Sequence, residues 1–170
     1  AGDGADQPLA VTMTVEPGRA YRLERHIWSF PAATTSAEAL LAPAAKFGSP
    51  VGEPAVAAQI LEAEGRAVQD LKQRGYPYAK RTGREAVADP EQATIAVITN
   101  IDPGPFLVFG DVSLDGIPDV DETYLRTYQP WKKGEPVDVR QLGEYQQSLI
   151  QTSLFLAGSV LLPEEAPAGQ

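Results

Sequence analysis

Apolar and polar residues alternate in two separated parts of the chain, and a Pro-Gly pair interrupts each part. Residues 9–30 read LAVTMTVEPGRAYRLERHIWSF, and residues 94–116 read TIAVITNIDPGPFLVFGDVSLDG. Alternation of this kind predicts β-strands that are buried on one face, and Pro-Gly predicts a tight turn between them. The same strand, hinge and strand are therefore predicted twice, with Gly18 and Gly104 at equivalent positions.

The strands that follow the two hinges are predicted over residues 20–28 and 106–114. The buried side of the first comprises Tyr21, Leu23 and Ile27. The buried side of the second comprises Phe106, Val108, Val112 and Leu114. Short helices are predicted next, over residues 35–42 and 119–127, because each range opens on Thr or Asp with Glu three residues later, the spacing of a capping box.

A longer helix follows each short one, after a Gly-Glu-Pro tripeptide at residues 52–54 and 134–136. Pro54 suits the first turn of the first long helix, and Asp138 with Gln141 suits the cap of the second. The predicted inner face of the first comprises Ala57, Ile60, Ala63, Ala67, Val68 and Leu71. The polar residues Glu62, Glu64, Gln69, Asp70 and Lys72 are predicted to lie mostly outside it. The predicted inner face of the second comprises Leu142, Tyr145, Leu149 and Ile150.

Gly75 follows the first long helix and suits a position with positive φ. An extended run over residues 79–87, a turn over residues 89–92 and a returning strand over residues 93–101 complete the unit. The repeat is therefore strand, short helix, long helix, strand, turn and strand, in about 80 residues. We interpret residues 1–16 as the last strand of a preceding unit, 19–103 as a complete unit, 105–162 as a unit that lacks its third strand, and 163–170 as a loop at a truncated end.

Composition limits the chemistry that is expected. The 170 residues carry a formal net charge of -9 with scattered Lys and Arg, so nucleic acid is not an expected partner. The absence of cysteine excludes disulfides, thiolate metal sites and thiol nucleophiles. His26 is the only histidine, and it is expected at the surface or at a strand edge rather than in a metal site. No set of nucleophile, base and oxyanion donor is recognisable, so no enzyme activity, metal or cofactor is expected.

The unit and its junction resemble the polypeptide-transport-associated (POTRA) domains of the outer-membrane assembly family, the BamA/TamA superfamily. The residues that carry the resemblance are Gly75-Tyr76, Asp102-Pro103-Gly104-Pro105, Phe109-Gly110, Val112, Leu114, Gly116, Gly134-Glu135-Pro136, Leu142, Leu149 and Leu154-Phe155. Pro130-Trp131, ahead of Gly134, is most similar to the TamA-type branch. Leu154 departs from the glycine that the family has, so the second long helix is expected to end without a positive-φ residue.

The resemblance implies an α+β fold of tandem POTRA modules. Each module would have a three-stranded mixed sheet in the order first, third, second strand, covered on one face by two helices. It also implies a location on the periplasmic face of the bacterial outer membrane, ahead of a C-terminal membrane β-barrel. The implied partners are unfolded outer-membrane client proteins, neighbouring modules and an inner-membrane partner subunit. Two alternatives stay open: a free-standing envelope module of the division-complex type, and the arm of a two-partner secretion transporter.

In the implied sheet order the second strand is an edge, to which an extended client segment can add by β-augmentation. The expected edge residues are Ala79, Lys80, Arg81, Thr82 and Arg84 in the complete unit, and Gly158, Ser159, Val160 and Leu161 in the other. The charges of Lys80, Arg81 and Arg84 have two interpretations, protection of a bare edge from aggregation or binding of clients.

The hinges are expected to set the angle between modules, because proline fixes φ and glycine tolerates any value. The expected hinge residues are Pro17, Gly18, Pro103, Gly104 and Pro105. The unit without a third strand and the unpaired strand of residues 9–15 predict strand exchange between copies, which would give a strand-swapped homo-oligomer.

Several other side chains have two interpretations each. Asp119, Asp121 and Glu122 suit helix capping better than cation binding, because a calcium loop needs more oxygen ligands. The aromatic residues Tyr76, Tyr78 and Phe155 are expected to fill the core, with a docking stripe as the alternative. Trp131 is placed equally in the core or in a contact with a barrel, a lipid headgroup or a neighbouring module.

Overall fold

The computed structural model describes residues 12–14, 18–31, 47, 50–113, 121–153 and 159–163. Within them the chain forms β1 over Arg22–Ser29, α1 over Ala57–Lys72, β2 over Lys80–Asp89, β3 over Thr94–Asp102, α2 over Glu122–Arg126 and α3 over Val139–Gln151. The helix expected over residues 35–42 lies outside the described residues, and so do Pro17, Leu114, Asp119, Leu154, Phe155 and Gly158.

One three-stranded mixed sheet organises the first unit, in the order β1-β3-β2. β3 pairs in parallel with β1 and antiparallel with β2, so it is the central strand. Its sequence suits that position, because Ala96, Val97 and Ile101 are all buried. The α+β class and the strand order implied by the resemblance are confirmed.

β1 buries different residues from those that simple alternation predicts. A register shift between Leu23 and Arg25 inserts an extra residue into the strand, and such a bulge reverses the direction of every later side chain. Leu23, His26 and Trp28 are consequently buried, whereas Ile27 is 39% exposed. The prediction of a buried Ile27 is therefore wrong. His26 does lie in an edge strand, which is one of the two places expected for it, but its side chain is buried and not at the surface.

α1 packs against the sheet through one face, as its apolar period predicts. Its buried residues are Ile60, Ala63, Glu64, Ala67 and Leu71. Glu64 was predicted outside this face, and that prediction is wrong. Pro54 is not in the first helical turn, because it forms a bridge with Arg22 and the helix begins after Val56.

The two Gly-Glu-Pro tripeptides make the same hydrogen bonds in the two units. The backbone N–H of Leu23 donates to the tripeptide's glutamate carbonyl (2.9 Å), and the Gly52 N–H donates back to the Leu23 carbonyl (2.7 Å). In the second unit Phe109 and Gly134 repeat both bonds, each at 2.8 Å. Gly52 and Gly134 have φ values of 87° and 90°, which favour glycine. The sequence repeat is therefore a repeat of local backbone geometry.

The first strand of the second unit is reduced to an isolated bridge between Val108 and Pro136. Phe109 is buried, whereas Phe106 and Val108 are each 50% exposed. The predicted buried side of this segment is therefore wrong for both residues. In the first unit the corresponding strand lies against β3, and no described strand takes that place beside Val108.

The helices of the second unit surround an aromatic cluster. Its buried members are Phe109, Trp131, Val137 and Tyr145. Leu142 and Leu149 of α3 pack against it as predicted, but Ile150 is 43% exposed, contrary to the prediction.

The caps of the two helices in the second unit are partly as predicted. The cap of α3 is Asp138, which accepts from the Arg140 N–H and confirms the prediction. The cap of α2 is Asp121, which accepts from the Thr123 N–H. The pairing of Asp119 with Glu122 in a capping box was therefore wrong, because Glu122 is the first residue of the helix.

The end of α3 also differs from the expectation. Ser153, directly after the cap residue Thr152, has a φ of 60°. A positive-φ residue therefore does terminate the helix, and the expectation of an exit without one is wrong. Gly75, at the end of α1, has a φ of 94°, as predicted.

Candidate functional site

β2 is the exposed edge of the three-stranded sheet. None of its ten residues is buried. One side of the strand pairs with β3, and no described strand pairs with the other side. An edge of this kind presents unpaired N–H and C=O groups, to which another extended chain can hydrogen-bond. Ala79, which was expected in the edge, is buried just before the strand begins.

A bulge in β2 places two of its arginines on the same face. The register shifts after Arg81, so that Arg81 lies opposite Ile101 and Arg84 lies opposite Thr99. Thr99 hydrogen-bonds to Glu64 of α1, and Ile101 belongs to the same buried cluster as Leu71 of α1, which places both on the face that α1 covers. Arg81 and Arg84 therefore face α1 although an odd number of positions separates them.

The cations of β2 all have carboxylate partners on neighbouring elements. Arg84 donates from Nε and Nη2 to the two carboxylate oxygens of Glu64, at 2.5 Å each. The Nε atom of Arg81 lies 3.5 Å from the same carboxylate. Lys80 Nζ lies 3.7 Å from Asp102 of β3. The edge is therefore not a row of free positive charges.

Glu64 is the centre of a hydrogen-bonded group that joins α1 to all three strands. The Thr99 hydroxyl of β3 donates to Glu64 Oε1 at 2.8 Å. The Thr99 Oγ1 atom also lies 2.8 Å from Nε2 of His26 in β1. Because the Thr99 proton is directed to Glu64, the Nε2 atom of His26 must be the donor in the second bond. Arg84 of β2 completes the group.

Burial and charged neighbours have competing effects on the pKa values of Glu64 and His26. Burial alone would raise the pKa of Glu64, but the hydrogen bonds from Arg84 and Thr99 and the charges of Arg84 and Arg81 outweigh it, and the pKa is lowered. Burial lowers the pKa of His26, and the charge of Arg84 adds to that effect, while Glu64 opposes it. At neutral pH the group therefore holds a carboxylate and an uncharged imidazole.

Sequence reasoning identified the arginines and missed the acid that binds them. A helical face of period 3.6 includes Ile60, Glu64, Ala67 and Leu71, so the sequence could have predicted that Glu64 lies on the buried face. The assumption that a glutamate belongs outside was the error. A buried acid needs a partner, and the two arginines of the edge were the signal for one.

The flank of α1 beside Glu64 is apolar and accessible. Leu61 is 49% exposed, Gly65 is exposed and Val68 is half-buried. A Cβ atom at Gly65 would meet no atom within 4 Å, so the surface there is open. Since α1 and β2 follow each other in the chain and both contact the Glu64 group, this flank adjoins the edge.

The junction between the two units is a packed corner. Gly75 donates its N–H to the Val137 carbonyl (2.9 Å) and accepts from the Leu107 N–H (2.8 Å). The ring of Phe106 covers Gly75, where an added Cβ would lie 2.2 Å from a ring carbon. The same ring lies 5.4 Å from the Tyr76 ring, centroid to centroid.

Burial and a hydrogen bond also fix the Pro-Gly residues at this junction. Pro103 is fully buried. Gly104 has a φ of 66°, and its N–H donates to the Asp102 side chain at 3.0 Å. Tyr78 is half-buried beside Gly104 and donates its hydroxyl proton to the Pro163 carbonyl at 2.6 Å.

Trp131 and residues 159–161 are the candidate residues of the second unit. Trp131 is 5% exposed, and its ring stacks on Phe109 at 4.5 Å and meets Tyr145 edge-on at 5.3 Å, which favours the core interpretation. Ser159, Val160 and Leu161 form no strand with any described residue. Val160 instead packs against the aromatic cluster, while Leu161 is 80% exposed.

Comparisons with known proteins identify the fold. No protein-family model and no curated protein matches the chain. POTRA domains 3–5 of Haemophilus influenzae BamA are similar in structure, with a TM-score of 0.55 and 19% identity over 81% of this chain and 52% of that one. BamA of Haemophilus ducreyi lacking POTRA domains 1–3 gives a TM-score of 0.60 and 16% identity over 82% of this chain and 25% of that one.

These similarities define the class of protein. The three-stranded mixed sheet in the order β1-β3-β2, with its helices, is a POTRA fold. This chain spans about half the length of the first BamA structure and a quarter of the second.

No helix in the described part of the chain is long and apolar enough to cross a membrane. Over the same residues, no three His, Asp or Glu side chains are grouped so that they could hold a metal ion.

The Glu64 group makes stability dependent on pH. Because folding lowers the pKa of His26 below the value of about 6.5 that it has in an unfolded chain, the unfolded state takes up the proton first as the pH falls. We expect the free energy of unfolding to decline as the pH falls below about 6.5. Urea unfolding at a series of pH values above and below this point checks the decline, and an NMR titration of the single imidazole checks its origin.

The matched variant for this test is His26→Gln, whose side-chain amide can still donate to Thr99. Its stability should change much less over the same range. An imidazole of the folded chain that titrates at or above its usual pKa would contradict the assignment.

Proposed function

We propose that the chain is a POTRA segment of an outer-membrane β-barrel assembly or translocation factor. In this role it acts as a scaffold that docks extended polypeptides along β2. The single observation that carries the proposal is that β2, a strand of ten residues in a POTRA fold, has an outer side with which no described strand pairs. Similarity to BamA structures supports the assembly context.

Docking uses the backbone of β2 and the adjoining flank of α1. An incoming strand can pair with the free side of β2, as β3 does with the other side. Alternate side chains of that strand would then lie over Leu61, Gly65 and Val68. Main-chain hydrogen bonds supply affinity without requiring a particular sequence, which suits a scaffold that receives unfolded client proteins.

The same proposal places the segment on the periplasmic face of the outer membrane, with neighbouring POTRA modules, a membrane β-barrel and an inner-membrane partner subunit as its protein partners. Pro103, Gly104 and Pro105 set the geometry between the two units, and the packing of Phe106 on Gly75 supports a fixed angle. A strand from a second copy of the chain is one further occupant for the second unit, beside Val108.

Docking is tested by NMR with a short, capped peptide that alternates threonine and valine. We expect amide shift changes along β2 and along the outer flank of α1, because the peptide extends the sheet there. A matched peptide that is N-methylated at its central amides cannot donate hydrogen bonds and should not bind. Changes confined to β1 or to the second unit would contradict the proposal.

The fixed angle is tested with Phe106→Ala. Spin labels on cysteines introduced at Glu91 and Glu144, both exposed, report the distance between the units, and the chain has no cysteine of its own. We expect a broader distance distribution in the variant, because the ring that covers Gly75 is lost.

The control for the angle is Val108→Ala, since Val108 has the same 50% exposure as Phe106. Its distance distribution should match that of the unaltered chain. Equal widths in all three proteins would show that the packing of Phe106 does not set the angle.

A further inference from the structure

The two arginines of β2 that face α1 are not equally available to a docked strand. The Arg84 side chain is 28% exposed, and its Nε and Nη2 both donate to Glu64. The Arg81 side chain is 44% exposed and lies 3.5 Å from the same carboxylate. The Arg84 side chain is thus held on the face of the sheet that α1 covers, while the Arg81 side chain can still turn towards the outer side of β2.

The carboxylate that holds Arg84 cannot itself be touched by a partner. The Glu64 side chain is 3% exposed, and Thr99 fixes one of its oxygens from the sheet side. Any effect of Glu64 on binding must therefore act through the arginines that contact it, chiefly Arg84, which it holds by two hydrogen bonds, and to a lesser extent Arg81. A fixed, buried acid is well suited to hold a guanidinium group in one orientation, because both N–O contacts form together.

Beyond Arg84, towards the end of β2, the strand carries no further charge on this face. Ala86 and Ala88 follow Arg84 on the same side of β2, and both are exposed. Leu61 lies on the facing flank of α1. A strand docked here would therefore meet alanine and leucine side chains and a neutralised arginine, with the remaining positive charge at the Lys80 and Arg81 end.

We infer that Glu64 is a specificity-determining residue of the β2 edge. By holding Arg84 away from a docked strand, it makes the edge favour partner strands with uncharged side chains over acidic strands. The inference rests on the docking function proposed above, and it names the class of polypeptide that the edge accepts.

Glu64→Gln is the variant that separates charge from shape. Its amide oxygen can still accept from Arg84 or Thr99, but the negative charge that retains Arg84 is gone. Arg84 then becomes a free cation beside the docked strand. An acidic partner would gain an ion pair at the edge, whereas an uncharged partner would gain nothing.

The experiment compares two capped peptides on the intact chain by fluorescence anisotropy. One alternates threonine and valine, and the other carries one glutamate on each face of the same sequence. We expect Glu64→Gln to tighten binding of the acidic peptide about fivefold and to leave the uncharged peptide within about twofold. The gain should shrink as salt is added.

Two further variants make the result specific to Arg84. Glu62→Gln removes the same charge from α1 and breaks the Arg66–Glu62 ion pair, while Arg66 keeps its hydrogen bonds to the Phe47 carbonyl. It should leave the preference unchanged. Glu64→Gln combined with Arg84→Gln should return the affinity for the acidic peptide to that of the unaltered chain.

The possible failures are distinguishable. If neither peptide binds the unaltered chain, the docking function fails, and the inference fails with it. If both peptides bind but Glu64→Gln leaves their ratio unchanged, or if Glu62→Gln changes it equally, the inference fails while docking stands.

Discussion

The first unit depends on the hydrogen bonds and ion pairs of the buried Glu64 carboxylate. A charge removed from water is tolerated only where hydrogen bonds and opposite charges replace the water. Glu64 receives these from Thr99 and Arg84, with Arg81 close by and His26 behind Thr99. Because these partners come from three different strands, the requirements of one acid determine where α1 lies and which way the arginines of the edge point.

The second constraint is the repeat of backbone hydrogen bonds between the two units. Each Gly-Glu-Pro tripeptide pairs with the first extended segment of its unit, and each needs a glycine with positive φ. The units then meet through Gly75, whose N–H and C=O both bond across the junction. The absence of space for a side chain at Gly75, beneath Phe106, explains why the chain has glycine there.

Much of the fold was readable from the sequence, and the errors have identifiable causes. The period of α1, the turn before β3 and the cap at Asp138 follow from local patterns, and the sheet order followed from the resemblance to POTRA domains. Local patterns could not reveal the bulge in β1, which moved His26 and Ile27 to opposite sides from those predicted. Glu64 was predicted on the exposed side of α1 because its side chain is charged. Hydrogen-bonding partners far away in sequence nevertheless allow it to be buried. β2 was predicted as an edge strand, but the pairing of its Arg84 with Glu64 of α1 was not predicted.

β2 pairs with β3 on one side, and no described strand pairs with its other side. Amide hydrogen exchange of the unaltered chain, resolved residue by residue by NMR, distinguishes a free outer side from an occupied one. We expect slow and fast amides to alternate along β2, while the amides of the central strand β3 are slow throughout. Uniformly slow exchange along β2 would mean that its outer side is already paired, and docking along this edge would then be ruled out.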